Sequence, residues 1–415
     1  NTAIGYQSSD ALTIGRYNTA IGYQALSAEV EGANNTAIGY KALFAQNAGG
    51  SDAGITETKN TAIGTNAGVA ISTGTSNTIV GNGALDAETT GNENVAIGNN
   101  ALGAATGGVS NCVAVGYGAL QGSLVTTGDN PSGATAVGYE ALQNMSAAQY
   151  ATAFGFRAGY SMSGADKATY IGYKAGYAGG SNHHNTYVGY QSGYGGGSGS
   201  GGEGNTALGV STLENVNGGH YNIAIGYQAG DTITTGDGNT YIGYDADASA
   251  NSVADEIVLK AGLDALVGGG TETIRIGVDS DYITNDFGEN ATWTHSSDRR
   301  IKKDIEDSEL GLDFINDLRT VTFKKKAPSE YPQGFDQYNA DKTERTNPDK
   351  KHYGFIAQEV KEAMDKAGHS EFPVWKENKD GMQELGETEL ITPLIKAVQE
   401  LSAEVKSLKK QLEEK

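Results

Sequence analysis

Short apolar phrases recur at nearly constant spacing along the first 250 residues, each bounded by asparagine and glycine. The phrase NTAIGY, or a close variant, stands at residues 18–23, 35–40, 222–227 and 239–244. Its glycine marks the repeat, and nine of the thirteen intervals between successive marker glycines are 17 residues long. A fixed period of this length predicts a solenoid whose coils pack on their neighbours. The marker glycines are Gly5, Gly22, Gly39, Gly64, Gly81, Gly98, Gly116, Gly138, Gly155, Gly172, Gly189, Gly209, Gly226 and Gly243.

The pattern within each repeat predicts β-structure. Seventeen residues are too few for two packed helices, and the phrase NTAIG has no 3.6-residue periodicity. A short alternating run closed by glycine and asparagine is typical of a strand and a turn, so each coil should hold about two short strands. The four longer intervals are insertions, which a solenoid accommodates as loops. A disordered tract is the alternative, but the aliphatic position is too regular for a chain that buries nothing.

The alternation also predicts which side chains are buried. The Ile/Val position before the marker glycine stays aliphatic, whereas the alanine position before it becomes tyrosine at Tyr170, Tyr187 and Tyr241. We therefore expect the Ile/Val column in the core and the Ala/Tyr column outside or against a neighbouring chain. These tyrosines, with the loops at 40–60 and 120–134, are then candidate receptor contacts. The recurrent asparagines should form a stacked side-chain ladder at the turns.

The repeat resembles the parallel β-roll of trimeric autotransporter adhesin heads, whose short repeats carry a similar xxAIG core. The resemblance implies an all-β solenoid with left-handed coils and a trimeric assembly. Each coil buries only a few aliphatic side chains, at roughly 1.5–3 kcal/mol apiece, against a backbone ordering cost of about 1–2 kcal/mol per residue. Association of identical chains would cover further apolar surface, and the resemblance implies that the assembly is a homotrimer.

Charge and composition exclude several classes of function. The net charge of −21 argues against nucleic acid and against an anionic membrane surface as partners. A single cysteine, Cys112, excludes an internal disulfide framework, and no apolar run is long enough for a membrane span. We expect no cofactor and no metal site, and no pair of carboxylates in the repeats indicates a glycan-cleaving enzyme. Because the chain starts at Asn1 inside a repeat, we expect it to be a fragment or a processed product.

The composition changes sharply near residue 297. Residues 1–250 carry 23 charged residues, whereas residues 298–415 carry 46 and only 6 glycines. We predict a β-roll shaft over 1–250, a strand-rich connector over 251–297, an α+β domain over 298–389 and a helix over 390–415. In the last segment, apolar residues step by three and four, which predicts a parallel coiled coil rather than a helix buried in its own domain. This seam consists of Ile391, Leu394, Val398, Leu401, Val405, Leu408 and Leu412.

Three phrases in the C-terminal part resemble the intramolecular chaperone domain of phage endosialidases and many phage tail fibres. They are SDRRIKKDI from Ser297, HYGFIAQEV from His352 and LITPLIKAVQEL from Leu390. The resemblance implies a domain that trimerises, guides folding of the elongated β-structure upstream, and then removes itself with a Ser-Lys dyad. The family's signature Ser-Asp-x-Arg-x-Lys matches at Ser297, Asp298, Arg300 and Lys302. It therefore assigns Ser297 as nucleophile, Lys302 as base and the Ser297–Asp298 junction as the place of cleavage.

The chemistry of this dyad needs an activated serine. A lysine can accept the hydroxyl proton when burial or neighbouring cations lower its pKa, and Lys302 is flanked by Arg299, Arg300 and Lys303. The spacing alone favours a solvated basic stretch, so the assignment depends on the resemblance. The scissile bond stays open between 296–297 and 297–298, because attack of the Ser297 hydroxyl on its own carbonyl would need a four-membered ring.

These observations together predict a structural and adhesive protein. We expect a homotrimeric phage tail fibre or tailspike shaft, located in the virion tail, that binds a host cell-surface glycan or protein receptor. Its only enzymatic activity should be a single self-cleavage as a serine peptidase. The alternative is a bacterial cell-surface trimeric adhesin with the same chaperone.

Overall fold

The computed structural model describes residues 1–47, 55–122, 133–145, 150–164, 167–181, 183–195, 202–279, 281–287, 290–295, 298–335, 337–344 and 349–414. The chain divides into two compact units, Asn1–Ser296 and Ser297–Lys415. The first is a solenoid of about 14 turns with coils of about 17 residues, and the second is a small α+β unit with a C-terminal helix. The predicted β-solenoid and α+β classes are confirmed.

The strands of the first unit are β1 Thr2–Ile4, β2 Thr19–Ile21, β3 Gly32–Ala33, β4 Thr36–Ile38, β5 Thr56–Glu57, β6 Thr61–Ile63, β7 Thr78–Val80, β8 Val95–Ile97, β9 Val113–Val115, β10 Thr135–Val137, β11 Thr152–Phe154, β12 Ser161–Gly164, β13 Thr169–Ile171, β14 Ala178–Ser181, β15 Thr186–Val188, β16 Thr206–Leu208, β17 Ile223–Ile225, β18 Thr240–Ile242, β19 Ala246–Asp247, β20 Ile257–Ala261, β21 Leu266–Val267, β22 Thr273–Val278, β23 Asp281–Asp286 and β24 Asn290–His295.

One parallel sheet runs through the whole solenoid. Each three-residue strand pairs with the equivalent strand of the next coil in strict register, so that Thr2, Ala3 and Ile4 lie beside Thr19, Ala20 and Ile21. The parallel stack continues through β20 and β22, and the sheet then ends in the antiparallel strands β23 and β24. Equivalent side chains therefore form straight columns along the solenoid axis.

The opposite side of each coil consists mostly of turns. A second short strand occurs only in some of the described coils, as in the pairs β3–β5, β12–β14 and β19–β21. Elsewhere the residues two and four after the marker glycine have positive φ, such as Gln24 (φ 55°) and Leu26 (φ 52°). These residues still bond to the next coil, since the Leu26 amide donates to the Ala42 carbonyl at 3.0 Å. The prediction of two strands per coil therefore holds for a minority of the described coils.

The buried column is the Ala/Tyr column, so the predicted orientation of the strands is wrong. Ala20, Ala37 and Ala96 are fully buried, whereas Ile97 is 38% exposed and Ile63 is similarly exposed. Leucines on the opposite wall of the coil, such as Leu26, fill the narrow interior, so alanine is the side chain that fits the strand centre. The threonine and the aliphatic residue on either side of it share one outward face.

Tyr170, Tyr187 and Tyr241 are therefore core residues, and their prediction as receptor contacts is wrong. Glycine replaces the opposing leucine where a tyrosine enters the core. A Cβ atom on Gly193 would lie 2.5 Å from Cε2 of Tyr187, and one on Gly230 would lie 2.7 Å from Cδ2 of Tyr241. The tyrosine on the strand thus occupies the space that leucine on the opposite wall fills in other coils, so the interior stays close-packed. Large parts of the predicted contact loops, 48–54 and 123–132, lie outside the described residues.

The predicted asparagine ladder is present. Asn60 is typical: its backbone amide donates to Oδ1 of Asn35 at 3.0 Å, and its own Oδ1 accepts from the Asn77 amide at 2.8 Å. Its Nδ2 donates to the Gly74 carbonyl at 2.7 Å, which closes the turn. Cys112 takes this position in its coil, where burial raises the pKa of the thiol to about 11. Each buried amide thus satisfies polar groups in two coils.

Replacing Gly176 with alanine should destabilise the solenoid by about 1–3 kcal/mol, because the interior would be overpacked. The new Cβ would lie against the Tyr170 ring, 2.5 Å from Cε1, at a backbone φ of +59°. Gly107 is the matched control, since it also has positive φ (89°) but a Cβ there would meet no atom within 4 Å. Urea denaturation should show a lower midpoint for Gly176→Ala than for Gly107→Ala. Equal midpoints would contradict the assignment of Tyr170 to a tightly packed core.

The second unit is built from helices α1 Leu312–Asp317, α2 Ala357–Ala367 and α3 Ile391–Glu413, with the strand pairs β25 Val321–Phe323 with β26 His352–Gly354 and β27 Trp375–Glu377 with β28 Gln383–Leu385. The predicted C-terminal helix is confirmed as α3. Gly368 ends α2 in the left-handed conformation (φ 81°), which glycine adopts without strain. A small core of Leu310, Phe314, Val360, Met364 and Val374 joins these elements.

Candidate self-processing site

The predicted processing site lies at the start of the second unit. Ser296 and Ser297 lie outside the described residues, so the structure places only the residues that follow the predicted nucleophile. Asp298 caps a short 3₁₀ helix, Arg299–Ile301, by accepting a hydrogen bond from the Arg300 amide at 2.8 Å. The signature residues therefore form a defined turn directly after the predicted nucleophile.

Asp298 and Arg300 form a bidentate ion pair. The guanidinium Nε is 3.0 Å from Oδ1 of Asp298, and Nη2 is 2.6 Å from Oδ2. The hydrogen bond from the Arg300 side chain, followed by the one from its backbone, lowers the pKa of the Asp298 carboxyl. This pair fixes the conformation of the turn, because two parallel bonds restrict both side chains.

Lys302, the predicted base, follows this turn. Its backbone amide donates to the Arg299 carbonyl at 3.1 Å, and its side chain is exposed in the single chain. Two of the three neighbouring cations have carboxylate partners, since Arg300 pairs with Asp298 and the Lys303 amine lies 3.8 Å from Asp304. Crowding by uncompensated positive charge around Lys302 is therefore weaker than the sequence indicated.

Helix α3 contacts its own unit with one face and leaves the predicted seam exposed. Pro393 and Ala397 are buried, and Oε2 of Glu400 accepts the backbone amide of Leu312 at 2.7 Å, at the start of α1. All seven seam residues are exposed, as Leu401 is at 48%. The seam thus lies on a different face from the one that packs on α1.

An apolar groove adjoins the N-terminal end of the seam. Ile315 and Leu318 of α1, Phe355, and Ile391 and Leu394 of α3 line it. Its volume is about 350 Å³. The groove and the seam together form a continuous apolar surface along α3, which extends the surface that a partner helix could cover.

Comparison with protein families identifies a match in the C-terminal unit. Residues 297–369 match the family model described as chaperone of endosialidase. The C-terminal unit thus carries the chaperone signature. No curated protein matches the chain in a sequence search. The match begins at the predicted nucleophile and ends just after α2, so α3 and its seam lie beyond it.

A β-solenoid thus precedes the stretch that matches the chaperone of endosialidase. The family supports an intramolecular chaperone of a trimeric, fibre-like protein. Among the described residues, no helix is both long and apolar enough to cross a membrane. No group of three or more His, Cys, Asp or Glu side chains within the described ranges could hold a metal ion.

Sequence reasoning missed the exposed aromatic residues of the solenoid. They do not occupy the alanine position but follow the marker glycine, as Tyr40, Tyr139 and Tyr190 do. Each occupies the same place in its coil, so neighbouring rings stack along the solenoid axis. The recurring dipeptide Gly-Tyr was the signal in the sequence.

Proposed function

We propose that the chain forms the shaft of a phage tail fibre or tailspike that assembles as a homotrimer, attaches to a host cell surface, and releases its own chaperone. The observation that carries this proposal is the outward aliphatic face of the solenoid, which is defined here as the column of Ile, Val, Leu and Phe side chains preceding the marker glycines. It runs the length of a solenoid that is followed by a match to the chaperone of endosialidase, a family that implies a trimeric assembly.

The aliphatic face is a contiguous apolar surface, and its exposure to water is unfavourable. Phe154, Ile171 and Val188 are consecutive members of it, paired in register from coil to coil. The face extends past the last coil, because Ile276 and Ile283 line an open groove with Leu259 beside it. Contiguous apolar surface of this extent marks an interface. A second and a third copy of the same chain would cover it, with the α3 seams forming a parallel coiled coil.

Assembly would also provide the environment that self-cleavage needs. In the single chain, Asp298, Arg300 and Lys302 face solvent. Packing of a neighbouring subunit against this turn would desolvate the amine and favour its neutral form. Cleavage would then follow assembly, which is the order a disposable chaperone requires.

The proposed step is an acyl transfer. Ser297 Oγ attacks the carbonyl carbon of residue 296 and gives its proton to Lys302. The carbon–nitrogen bond breaks as the Ser297 nitrogen takes a proton, and water hydrolyses the resulting ester. If the bond 297–298 is cut instead, another group must supply the nucleophile, since Ser297 cannot reach its own carbonyl.

Placing a charge on the aliphatic face should prevent assembly. We expect Ile171→Lys to abolish the soluble trimer, because three unpaired ammonium groups would be buried at several kcal/mol each. In a single chain Ile171 is 39% exposed, so the same change would alter stability by only about 0.5 kcal/mol. Leu263→Lys is the control, at a residue that is 79% exposed. A trimer of Ile171→Lys with the melting temperature of the control would contradict this interface.

A bacterial cell-surface trimeric adhesin with the same chaperone is the second candidate. It shares the solenoid, the interface and the processing step, so none of these features separates the two. The sequence upstream of Asn1 in the full gene separates them, since a virion-attachment domain would identify the fibre and a secretion signal would identify the adhesin. The first candidate places the protein in the virion tail, outside the cell.

A further inference from the structure

An exposed ladder of five aromatic rings lies along the middle of the solenoid. Successive ring centroids are separated by 5.0–5.3 Å, and the planes differ by no more than 10°. The ladder is therefore about 20 Å long, close to the distance that four coil-to-coil steps of a β-sheet span. Its members, named the outer ladder, are Tyr117, Tyr139, Phe156, Tyr173 and Tyr190.

A second ladder runs parallel to it. Tyr160, Tyr177 and Tyr194, named the inner ladder, are stacked at 5.1 and 5.0 Å with planes within 5° of each other. Each follows an outer-ladder residue of its own coil by four positions. The two ladders thus form the walls of one strip over the same three coils.

Two cations lie between these walls. The Arg157 guanidinium is 5.3 Å from the Phe156 ring centroid and 5.0 Å from that of Tyr160. In the next coil, the Lys174 amine is 5.4 Å from the ring of Tyr173 and 5.0 Å from that of Tyr177. Each cation is therefore in contact with both ladders.

The charge of these two residues differs from that of their surroundings. The solenoid unit holds only 8 Lys and Arg residues against 25 Asp and Glu residues. Arg157 pairs with Glu140, whose Oε2 is 2.6 Å from its Nε. No carboxylate of a described residue lies within 4 Å of the Lys174 amine, which contacts aromatic rings, including Tyr194 at 5.7 Å. Glu140 thus compensates the charge of Arg157, whereas Lys174 has no ion-pair partner in the described part of the chain and is the uncompensated cation of the strip.

The exposed parts of the rings define what the strip can recognise. Stacking covers the faces of the central rings of each ladder, so planar groups such as nucleobases cannot insert there. The outer-ladder residues are 38–48% exposed, so the strip offers apolar ring edges alternating with hydrogen-bonding groups. A linear chain of sugar rings presents the matching alternation of C–H surfaces and hydroxyl groups.

We propose that the strip between the two ladders binds a linear glycan that carries carboxylate groups, extended along the solenoid axis. A carboxylate of the glycan would lie at Lys174, and the sugar hydroxyls would bond to the tyrosine hydroxyls of both walls. This inference rests on the proposed function, since it names the class of host receptor. It depends on the solenoid surface alone and needs no step of the processing reaction.

A matched control exists in the first part of the solenoid. Lys41 occupies the same position in its coil as Lys174, and its amine lies 5.5 Å from the Tyr40 ring and 5.0 Å from the Phe44 ring. It has the same local cation–π contacts, but Ser27 and Val69 take the inner-ladder position in the adjacent coils. Lys41→Gln therefore removes an equivalent charge without touching a continuous strip.

Calorimetric titration of the full chain with a hexamer of galacturonic acid tests this proposal. We expect the hexamer to bind, and Lys174→Gln and Tyr177→Ala each to weaken binding at least tenfold, whereas Lys41→Gln should bind as the unsubstituted chain does. Lys174→Gln should keep its melting temperature, because the side chain is on the surface. Failure of the unsubstituted chain to bind the hexamer, or equal affinity of Lys174→Gln and Lys41→Gln, would overturn the proposal.

Adsorption of the purified protein to host cells distinguishes failure of the glycan-binding proposal from failure of the proposed host attachment. If unsubstituted protein adsorbs and Lys174→Gln adsorbs equally well, the strip is not the receptor site, although attachment stands. If no protein adsorbs to cells while the hexamer binds with the expected dependence on Lys174, the strip is a glycan site and the attachment proposal fails.

Discussion

Replacing Ser297 with alanine should leave the chain at its full mass of 43.0 kDa, whereas the unsubstituted chain should release a C-terminal fragment. The fragment should contain 118 residues if it begins at Asp298, and 119 if the bond before Ser297 breaks. The effect should be complete rather than partial, because removing the nucleophile removes the covalent step. Mass spectrometry of the purified products distinguishes these outcomes and also fixes the scissile bond.

Substitutions of Lys302 and Lys303 test which lysine accepts the serine proton. Lys302→Ala should also stay uncleaved, since no other group is assigned to take the serine proton. Lys303→Ala should be cleaved normally, because its amine is exposed beside Asp304 and has no part in the proposed step. Both uncleaved variants should still assemble. Normal processing of Ser297→Ala would contradict the assignment of the nucleophile, and failure of Lys303→Ala to cleave would contradict the choice of Lys302.

Deleting residues 298–415 from the gene should leave the repeats insoluble. The solenoid exposes an aliphatic face along its length, and it must form strand pairs across separate coils before that face is covered. Pairing of distant segments is slow, and the exposed edges aggregate meanwhile. A C-terminal unit that holds three chains in register through the α3 seam would reduce this cost. The fraction of soluble protein after expression is the measurement.

The matched control for this deletion is the Ser297→Ala protein, which keeps the same repeats attached to the C-terminal unit. It should be soluble, because the chaperone acts before cleavage. Soluble, trimeric repeats from the shortened gene would contradict the chaperone role. After cleavage the mature shaft should unfold more slowly than the uncleaved variant. Once the chaperone has been released, the shaft can no longer unfold by reversing the chaperone-guided assembly steps.

The repeat pattern was sufficient to predict the solenoid. A 17-residue period with a strand-and-turn phrase leaves few alternatives, and the asparagine ladder follows from one amide recurring at one place in most coils. Three-residue strands, however, carry too little alternation to show which face is buried. The consistently apolar position is typical of a core, yet Ile97 faces outward and Ala96 inward.

The sequence did contain a signal for the correct orientation. Glycine stands four residues after the marker glycine in the coils of Tyr170 and Tyr187 and in the coil before Tyr241, where leucine stands in many others. Such exchange of a large residue for a small one is expected only between side chains that share a core. The aromatic strip was missed for a related reason, because its two walls come from positions four residues apart that only the coil geometry brings side by side.

The processing site could be predicted only as a set of residues. Asp298, Arg300 and Lys302 follow from the signature, and the turn formed by Asp298 and Arg300 is consistent with a defined site. In the proposed mechanism their catalytic arrangement requires a neighbouring subunit, which a single chain does not supply. The same holds for the α3 seam, whose residues follow from the heptad pattern and whose proposed partner is another copy.

Light scattering of the uncleaved Ser297→Ala protein is the most direct test of the central claim that a C-terminal chaperone directs this solenoid into a trimer. We predict a molar mass three times the 43.0 kDa of one chain. A mass of 43.0 kDa for the soluble, folded protein would contradict the interface on the aliphatic face, the coiled coil and the chaperone mechanism together.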